Sequence, residues 1–233
     1  MFTVFYAACA IAQAVLAIIA IRLFTRHKSL GALMLILPTA AVVWDNAIIA
    51  LGATIGDGPL LVGLSWPRFI GHALFTPTWI FTGVALAWRA GVKWLGARWV
   101  QIGQWVLYVI CLVFGLLRSV IFLKMTPDDQ DGLYYFDNTG SFPGPPIGSI
   151  TMLIVVLIAG IAVWRLTKSP WMFLGSAFML AVSIYRVGPV MSLLSNTGEV
   201  VMAAGLVVTE YIFQKRQILV GPSQPTLDPA SDL

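Results

Sequence analysis

The sequence predicts an all-α, polytopic membrane protein built as a bundle of seven transmembrane helices. Of its 233 residues, 59% are hydrophobic and only 10% are charged, whereas soluble domains carry about 25% charged residues. Apolar stretches of about 20 residues, the length that crosses a bilayer, recur along the chain. Basic residues cluster in alternate connections between these stretches, as they do in the cytoplasmic loops of membrane proteins. The composition therefore leaves too little polar surface for a soluble protein of this size.

Seven apolar stretches define the predicted helices. In chain order they cover residues 2–23, 31–53, 67–88, 99–123, 147–166, 171–194 and 197–214. The first is predicted to be a retained helix rather than a cleaved leader, because no basic segment precedes its apolar run. Alternate connections and the segment after the last helix hold most basic residues, including Arg22, Arg26, Lys28, Arg89, Lys93, Arg98, Arg165, Lys168, Lys215 and Arg216. The positive-inside rule then predicts an N-terminus outside and a C-terminus inside.

The chain divides into one membrane domain and a tail. Residues 1–216 are predicted to form the seven-helix domain, and residues 217–233 a disordered cytoplasmic tail, because the tail is rich in Pro and Ser and lacks an apolar pattern. The longest connection, about 124–146, combines acidic residues with aromatics, Gly and Pro. It has two interpretations: an ordered cap over the outer mouth of the bundle, or a solvated loop.

Several functional classes are excluded by what the chain contains. The net charge of +4 comes mostly from loop residues, so it does not indicate nucleic-acid binding. Cys9 and Cys111 lie within apolar stretches, which argues against a disulfide or a cysteine metal site. The two histidines, His27 and His72, are too few for a histidine-rich metal centre. We therefore predict no metal and no cofactor.

Five ionisable side chains fall within the predicted helices: Asp45, Arg68, His72, Arg118 and Arg186. A charge near the centre of a spanning helix costs about 2.5–3.5 kcal/mol on insertion scales, and charges kept there usually face one another, a cavity or a substrate path. Arg68 and His72 are four residues apart and so share one face of a helix. In the predicted orientation all five lie in the outer half of the bundle, which predicts a polar pocket there.

Three further polar residues belong to the predicted pocket: Asn46, Glu199 and Tyr134. Asn46 follows Asp45 directly, Glu199 lies near the start of the last predicted helix, and Tyr134 lies in the long connection above the pocket. Pro77 predicts a kink that opens space in the third helix. The predicted pocket has two acidic residues but three arginines and one histidine. Its positive charges therefore outnumber its negative ones, and a polar or anionic group of a ligand is suited to balance them.

Some of these residues also have structural interpretations. Asp45 and one arginine could form an interhelical ion pair that locks the bundle. Arg68 could extend its guanidinium to the membrane interface. Glu199 fits the third position after an Asn196 cap, which is a capping box. Glu210, near the inner end and close in sequence to basic residues, is assigned a structural role.

The layout resembles the small seven-helix membrane-bound terpene cyclases of meroterpenoid pathways. Those proteins carry an acidic residue beside a tryptophan in helix two and a second acid near the last helix, and the matching positions here are Trp44-Asp45 and either Glu199 or Glu210. The resemblance covers the whole chain in architecture and these few residues in motif. It implies that paired acids protonate an epoxide or alkene of a prenylated substrate, whose carbocation then folds within an aromatic cavity.

The sequence leads to one principal functional hypothesis and two alternatives. The principal one is a multi-pass membrane enzyme, in a bacterial inner membrane or a eukaryotic endomembrane, that cyclises a prenylated substrate by proton transfer as an isomerase or lyase. Asp45 would be the general acid, and His72 or Glu199 would accept or relay the terminating proton. Substrate contacts are predicted for Asn46, Arg68, Arg118, Tyr134 and Arg186. The alternatives are a binder, carrier or translocator of an anionic lipid or amphiphile, and a structural subunit of a membrane complex.

Overall fold

Eight α-helices and one β-hairpin make up the part of the chain that the computed structural model describes, residues 2–130, 132–140, 142, 146–184 and 190–220. The helices are α1 (Phe2–His27), α2 (Leu30–Ile55), α3 (Pro59–Phe75), α4 (Trp79–Arg89), α5 (Arg98–Leu116), α6 (Ile147–Thr167), α7 (Trp171–Ile184) and α8 (Val190–Val220). The strands are β1 (Met125–Gln130) and β2 (Leu133–Asn138). The protein is therefore helical as predicted, apart from two short strands in the long connection.

Five stretches of helix within the described residues are long and apolar enough to cross a membrane. They are α1, α2, the α3–α4 pair (Pro59–Arg89), α5 with the turn that follows it (Arg98–Ile121), and α6. α7 is apolar but has only 14 residues, and a helix of that length covers about 21 Å, less than the hydrocarbon core of about 30 Å. Length and composition thus support five of the seven predicted spans.

The third predicted helix starts earlier than expected and is broken in the middle. α3 begins at Pro59, where a missing N–H costs little because donors of the first turn have no partner inside the helix. A 3₁₀ turn at Thr76–Thr78 separates α3 from α4, which confirms the kink predicted at Pro77. The Thr78 hydroxyl donates to the carbonyl oxygen of Phe75 at 2.7 Å, so a carbonyl released by the break is satisfied.

The last two helices divide the chain differently from the prediction. α7 ends at Ile184, ten residues before its predicted end, and α8 begins at Val190, seven residues before its predicted start. The Gly188-Pro189 pair in the sequence is a strong helix-breaking signal, and boundaries drawn from apolarity alone overlooked it. Residues 185–189 and 221–233 lie outside the described residues, and so does most of the predicted tail. The division into a domain of residues 1–216 and a tail stays a prediction.

The first two helices form an antiparallel pair that fixes one end of the bundle. They are joined at Lys28 and Ser29, and the Ser29 hydroxyl caps α2 by accepting from the backbone N–H of Ala32 at 3.2 Å. Side chains from most of the helices meet in one apolar core, whose fully buried members include Leu35, Trp79, Met152, Met172 and Leu206. This core holds the polar residues described below in fixed positions.

The long connection folds into a hairpin that packs on the bundle. β1 and β2 are antiparallel, and Leu133 and Phe136 of β2 are buried against α2 and its neighbours. Gly52 of α2 permits this approach, because a β-carbon there would collide with the carbonyl oxygen of Tyr134. The connection is therefore ordered over these strands, and its place at the outer mouth of the bundle stays a prediction. We call this the hairpin end of the bundle, and the end with the Lys28–Ser29 turn the opposite end.

Candidate active site at the hairpin end

Asp45, Arg68 and His72 form a buried cluster between α2 and α3. The Arg68 Nε donates to Asp45 Oδ1 at 2.7 Å, and His72 Nε2 lies 3.4 Å from Asp45 Oδ2. Asp45 is 8% exposed and Arg68 6%. The four-residue spacing of Arg68 and His72 puts both on one face of α3, as the sequence predicted. The interhelical ion pair is therefore confirmed.

Arg68 also fastens the hairpin to the bundle. Its Nη1 donates to the carbonyl oxygen of Phe136 at 3.0 Å, and its guanidinium carbon lies 5.4 Å from the ring centre of Phe69 and 6.0 Å from that of Tyr135. The interpretation in which Arg68 extends to the membrane interface is wrong, because a buried carboxylate and a buried carbonyl hold the guanidinium inside.

A cavity of about 330 Å³ lies beside this cluster, between α3, the end of α5, the hairpin and the start of α6. Its polar wall consists of His72, Arg118, Ser119, Asp137, Asn138 and Ser149. Its apolar wall includes the rings of Phe69, Phe114 and Phe142. His72 therefore contacts the buried Asp45 and also faces the cavity.

The position of Arg118 depends on local features that the sequence did not reveal. The last turn of α5 continues as a π-helical turn, Leu117–Ile121, a form often found at functional sites. Asn138 donates through Nδ2 to the carbonyl oxygen of Arg118 at 3.1 Å. Gly115 brings this helix close to α3, since a β-carbon there would lie 3.1 Å from the Ala73 Cα. These contacts bring Arg118 and His72 to one cavity.

The structure thus brings together only part of the predicted site. His72 and Arg118 line the cavity, whereas Asp45, Asn46, Arg68, Tyr134 and Glu199 are absent from the described residues that line it. Tyr134 lies on β2, with its ring 6.3 Å from that of Phe136. Arg186 lies outside the described residues.

Trp44, the residue before Asp45, is not among the described residues that line the cavity. Its indole Nε1 donates to the carbonyl oxygen of Leu64 at 3.1 Å, and the residue is 40% exposed. This hydrogen bond joins α2 to α3.

Asn46 lies on α2 and Glu199 on α8. Asn46 is fully buried, and its Nδ2 donates to the carbonyl oxygen of Val42 at 3.0 Å. Glu199 is close enough to His72 and Asp45 to interact with both electrostatically. The capping-box interpretation of Glu199 is wrong, because α8 begins at Val190 and places it nine residues inside the helix.

Glu210 belongs to a second polar cluster at the opposite end. Its carboxylate accepts hydrogen bonds from Arg89 at 2.6 Å, Gln214 at 2.8 Å and Ser29 at 3.2 Å. The side chains of Glu210 and Arg89 are 0% and 5% exposed. The structural assignment of Glu210 is supported, with Arg89 as its ionic partner. From the sequence we expected Arg89 in the connection after the third predicted helix, because it follows the end of an apolar stretch.

The hairpin carries its own cross-strand bond. Tyr135 and Asp128 are paired in the strand register, and the Tyr135 hydroxyl donates to Asp128 Oδ2 at 2.9 Å. Burial and the neighbouring Asp128 carboxylate raise the pKa of the Tyr135 hydroxyl above its usual value of 10.0. This bond stiffens the strand whose Phe136 carbonyl holds Arg68.

A scan against models of known protein families finds no match to this chain, and a search of curated proteins finds no similar sequence. The geometry of its residues is therefore what indicates its function.

Proposed function

We propose that this chain is an integral membrane enzyme that transfers a proton to a lipophilic, prenylated substrate, with His72 as the group that meets the substrate. One observation carries the proposal: His72 lines the cavity and at the same time contacts the buried carboxylate of Asp45. A ring oriented by a carboxylate on one side and open to a cavity on the other is a common arrangement for general acid–base catalysis.

The membrane arrangement that we propose has seven spans, with α7 and α8 completing the bundle and the hairpin end outside. Five apolar helices support membrane insertion. At the opposite end, Trp94 and Trp99 are exposed and stacked with ring centres 5.9 Å apart, next in sequence to Lys93 and Arg98. Exposed tryptophans beside basic residues are typical of a cytoplasmic membrane interface.

The proposed role of Asp45 differs from that expected from the sequence. Asp45 Oδ1 accepts a hydrogen bond from Arg68, which always carries its protons, so this oxygen has no proton to donate. Asp45 instead orients His72 by holding its Nε2. Nδ1 is then the ring nitrogen that exchanges a proton with the substrate, since its neighbour, 3.4 Å away, is the neutral hydroxyl of Thr76 rather than a carboxylate.

The cavity walls indicate the kind of substrate. The lining combines three phenylalanines with polar residues that include Arg118, Asp137 and Asn138, which suits an amphiphile with a polar head and a hydrocarbon part. The volume of about 330 Å³ is at the small end of ligand pockets. It would hold a small terpenoid or the reactive end of a longer prenyl chain.

The chemistry of imidazole favours an epoxide over a simple alkene as the proton acceptor, because an imidazolium is too weak an acid to protonate an isolated double bond. His72 Nδ1–H would protonate the epoxide oxygen as the C–O bond breaks, and an alkene of the same chain would attack the released carbon. The final cation would return a proton to the imidazole. The product is then an isomer of the substrate, and the enzyme is regenerated.

Mass spectrometry of membrane lipids tests this proposal. Host membranes with wild type, Asp45→Asn, His72→Gln or empty vector would be compared at matched protein levels, with epoxidised prenyl precursors supplied. We expect a species of unchanged mass and altered retention in wild type alone. Its absence from wild type, or its full formation by His72→Gln, would overturn the proposal.

A second candidate function is binding or carriage of an anionic amphiphile, which is favoured by the position of Arg118 in an aromatic-walled cavity. This hypothesis predicts that Arg118→Gln abolishes lipid retention while His72→Gln has little effect. Arg98→Gln, a change at the first residue of α5, is the matched control. A discrete lipid that co-purifies equally with wild type and His72→Gln, without any new product, would favour this candidate.

A further inference from the structure

Three phenylalanine rings lead from the surface of the protein into the cavity. The ring centre of Phe142 lies 6.3 Å from that of Phe114 and 5.4 Å from that of Phe122, and both pairs meet edge to face. Aromatic side chains are in contact at these distances. Phe114 and Phe142 line the cavity, whereas Phe122 is 45% exposed. These three rings, which we call the aromatic row, therefore connect the cavity with the outer surface of the bundle.

Backbone contacts hold the aromatic row in place. The Phe142 N–H donates to the carbonyl oxygen of Gly140 at 3.3 Å, and the Gly140 N–H donates to Asn138 Oδ1 at 2.9 Å. A β-carbon at Gly140 would collide with the carbonyl oxygen of Phe122. Glycine thus lets the chain after β2 approach the end of α5 closely. The row is therefore a preformed surface between two fixed segments of the chain.

The aromatic row lies at the end of one apolar span and near the start of another. The span that includes α5 ends at Ile121, the residue before Phe122, and α6 begins at Ile147. Both isoleucines are exposed, and Ile147 also lines the cavity. In the proposed membrane arrangement, exposed apolar side chains at the ends of spans contact lipid. The cavity therefore borders the bilayer on an apolar side, between α5 and α6.

The size of the cavity limits how much of a lipophilic substrate it can hold. Its volume of about 330 Å³ is at the small end of ligand pockets, so a long hydrocarbon chain needs a further apolar surface that is continuous with it. The aromatic row is such a surface. A prenyl chain has a rigid double bond in every isoprene unit, so it loses less conformational freedom on a fixed surface than a saturated acyl chain does.

We propose that the aromatic row binds the hydrocarbon tail of a prenylated substrate whose head occupies the cavity, and that the tail enters from the bilayer between α5 and α6. The row then selects substrates by chain length, because only a long chain extends from the cavity to Phe122. Packing against the rings gives this selectivity, since lipid tails are as apolar as the substrate. The inference rests on the proposed function for the class of substrate, but binding alone tests it.

Photo-cross-linking of the purified wild-type protein in detergent tests where the tail lies. The probe is geranylgeraniol with a diazirine at the end remote from its hydroxyl, and mass spectrometry identifies the labelled peptides. We expect labelling of the segment that contains Ile121 and Phe122, with competition by unlabelled geranylgeraniol but much less by the saturated alcohol hexadecanol. Labelling spread over the exposed faces of other helices, or equal competition by hexadecanol, would overturn the inference.

Binding of two prenyl alcohols to purified variants tests the selection by chain length. Phe122→Ala should weaken the binding of radiolabelled geranylgeraniol by about fivefold, because the dispersion contacts of one ring are lost and detergent or lipid replaces them only in part. The binding of geraniol, whose short chain stays within the cavity, should not change. Phe178→Ala, at another exposed phenylalanine on α7, is the matched control and should bind both alcohols as wild type does. Equal effects of Phe122→Ala and Phe178→Ala would overturn the inference.

The outcomes separate this inference from the proposed function. Tail labelling at the aromatic row, in a protein that forms no product from epoxidised prenyl precursors, would support the row as a binding surface and overturn the proposed catalysis. Product formation with tail labelling elsewhere would overturn the inference about the row and leave the proposed catalysis in place.

Discussion

Arg68 binds Asp45 and the hairpin at once: its Nε donates to Asp45 Oδ1 at 2.7 Å, and its Nη1 donates to the Phe136 carbonyl oxygen at 3.0 Å. The same carboxylate contacts His72, which lines the cavity. The cap, the ion pair and the candidate catalytic ring therefore form one connected unit. Substitutions in this unit should change the free energy of unfolding and the turnover, and the two effects can be measured separately.

Removing only one partner of the buried ion pair should be costly. Arg68→Leu leaves the Asp45 carboxylate buried without its guanidinium, and breaking a buried pair in this way costs about 3–5 kcal/mol. Asp45→Leu combined with Arg68→Leu should recover much of that loss, because both charges are then absent. Chemical denaturation in detergent measures the free energy of unfolding. A double variant no more stable than Arg68→Leu would contradict this account of the pair.

The cluster at the opposite end should matter for stability but not for chemistry. Arg89→Leu leaves the Glu210 carboxylate buried without its ionic partner, so we again expect a loss of about 3–5 kcal/mol. Turnover per folded molecule should stay at the wild-type level, because Arg89 and Glu210 lie far along the bundle from His72. Activity normalised to folded protein measures this, and a specific loss of turnover would show that Glu210 has a functional role.

The packing of the hairpin against α2 should depend on Gly52. Gly52→Ala introduces a methyl group that would collide with the carbonyl of Tyr134, so the hairpin should shift and its amides should exchange faster with solvent. Gly63→Ala, in α3, is the matched control because a β-carbon there meets nothing within 4 Å. It should be neutral or stabilising by up to about 1 kcal/mol. Hydrogen exchange of residues 125–138 compares the two, and equal protection in both variants would contradict the contact.

The Tyr135–Asp128 bond should make stability depend on alkaline pH. The pKa of Tyr135 is raised on folding, so the folded state keeps this proton more tightly than the unfolded state. The contribution is complete below the unfolded value of 10.0 and declines as the pH rises above it. Thermal unfolding across that range should show a steeper loss for wild type than for Tyr135→Phe. Tyr211→Phe should resemble wild type, and identical pH profiles for wild type and Tyr135→Phe would contradict the bond.

The predicted cluster could be found because intramembrane charges rarely occur without partners. Asp45 in one apolar stretch and Arg68 and His72 four residues apart in the next had few other groups to pair with. The kink at Pro77 followed from the missing N–H of proline.

Other features had no signal in composition or spacing. The π-helical turn that carries Arg118 accepts a hydrogen bond from Asn138 of the hairpin, 20 residues later in the chain, and no local spacing predicts that contact. Asp45 was expected to face the substrate, but its distance from the cavity depends on how α2 and α3 rotate against each other. That rotation is set by packing across the whole bundle rather than by local sequence.

The most direct test of the account compares two histidine variants of the purified protein, His72→Gln and His27→Gln, with an epoxidised prenyl substrate. His27 ends α1 and is the chain's other histidine, so its variant controls for loss of an imidazole. We expect His72→Gln to bind the substrate while its turnover falls by about a hundredfold or more, as when a general acid is removed, and His27→Gln to match wild type. Equal turnover in the two variants would contradict the assignment of His72.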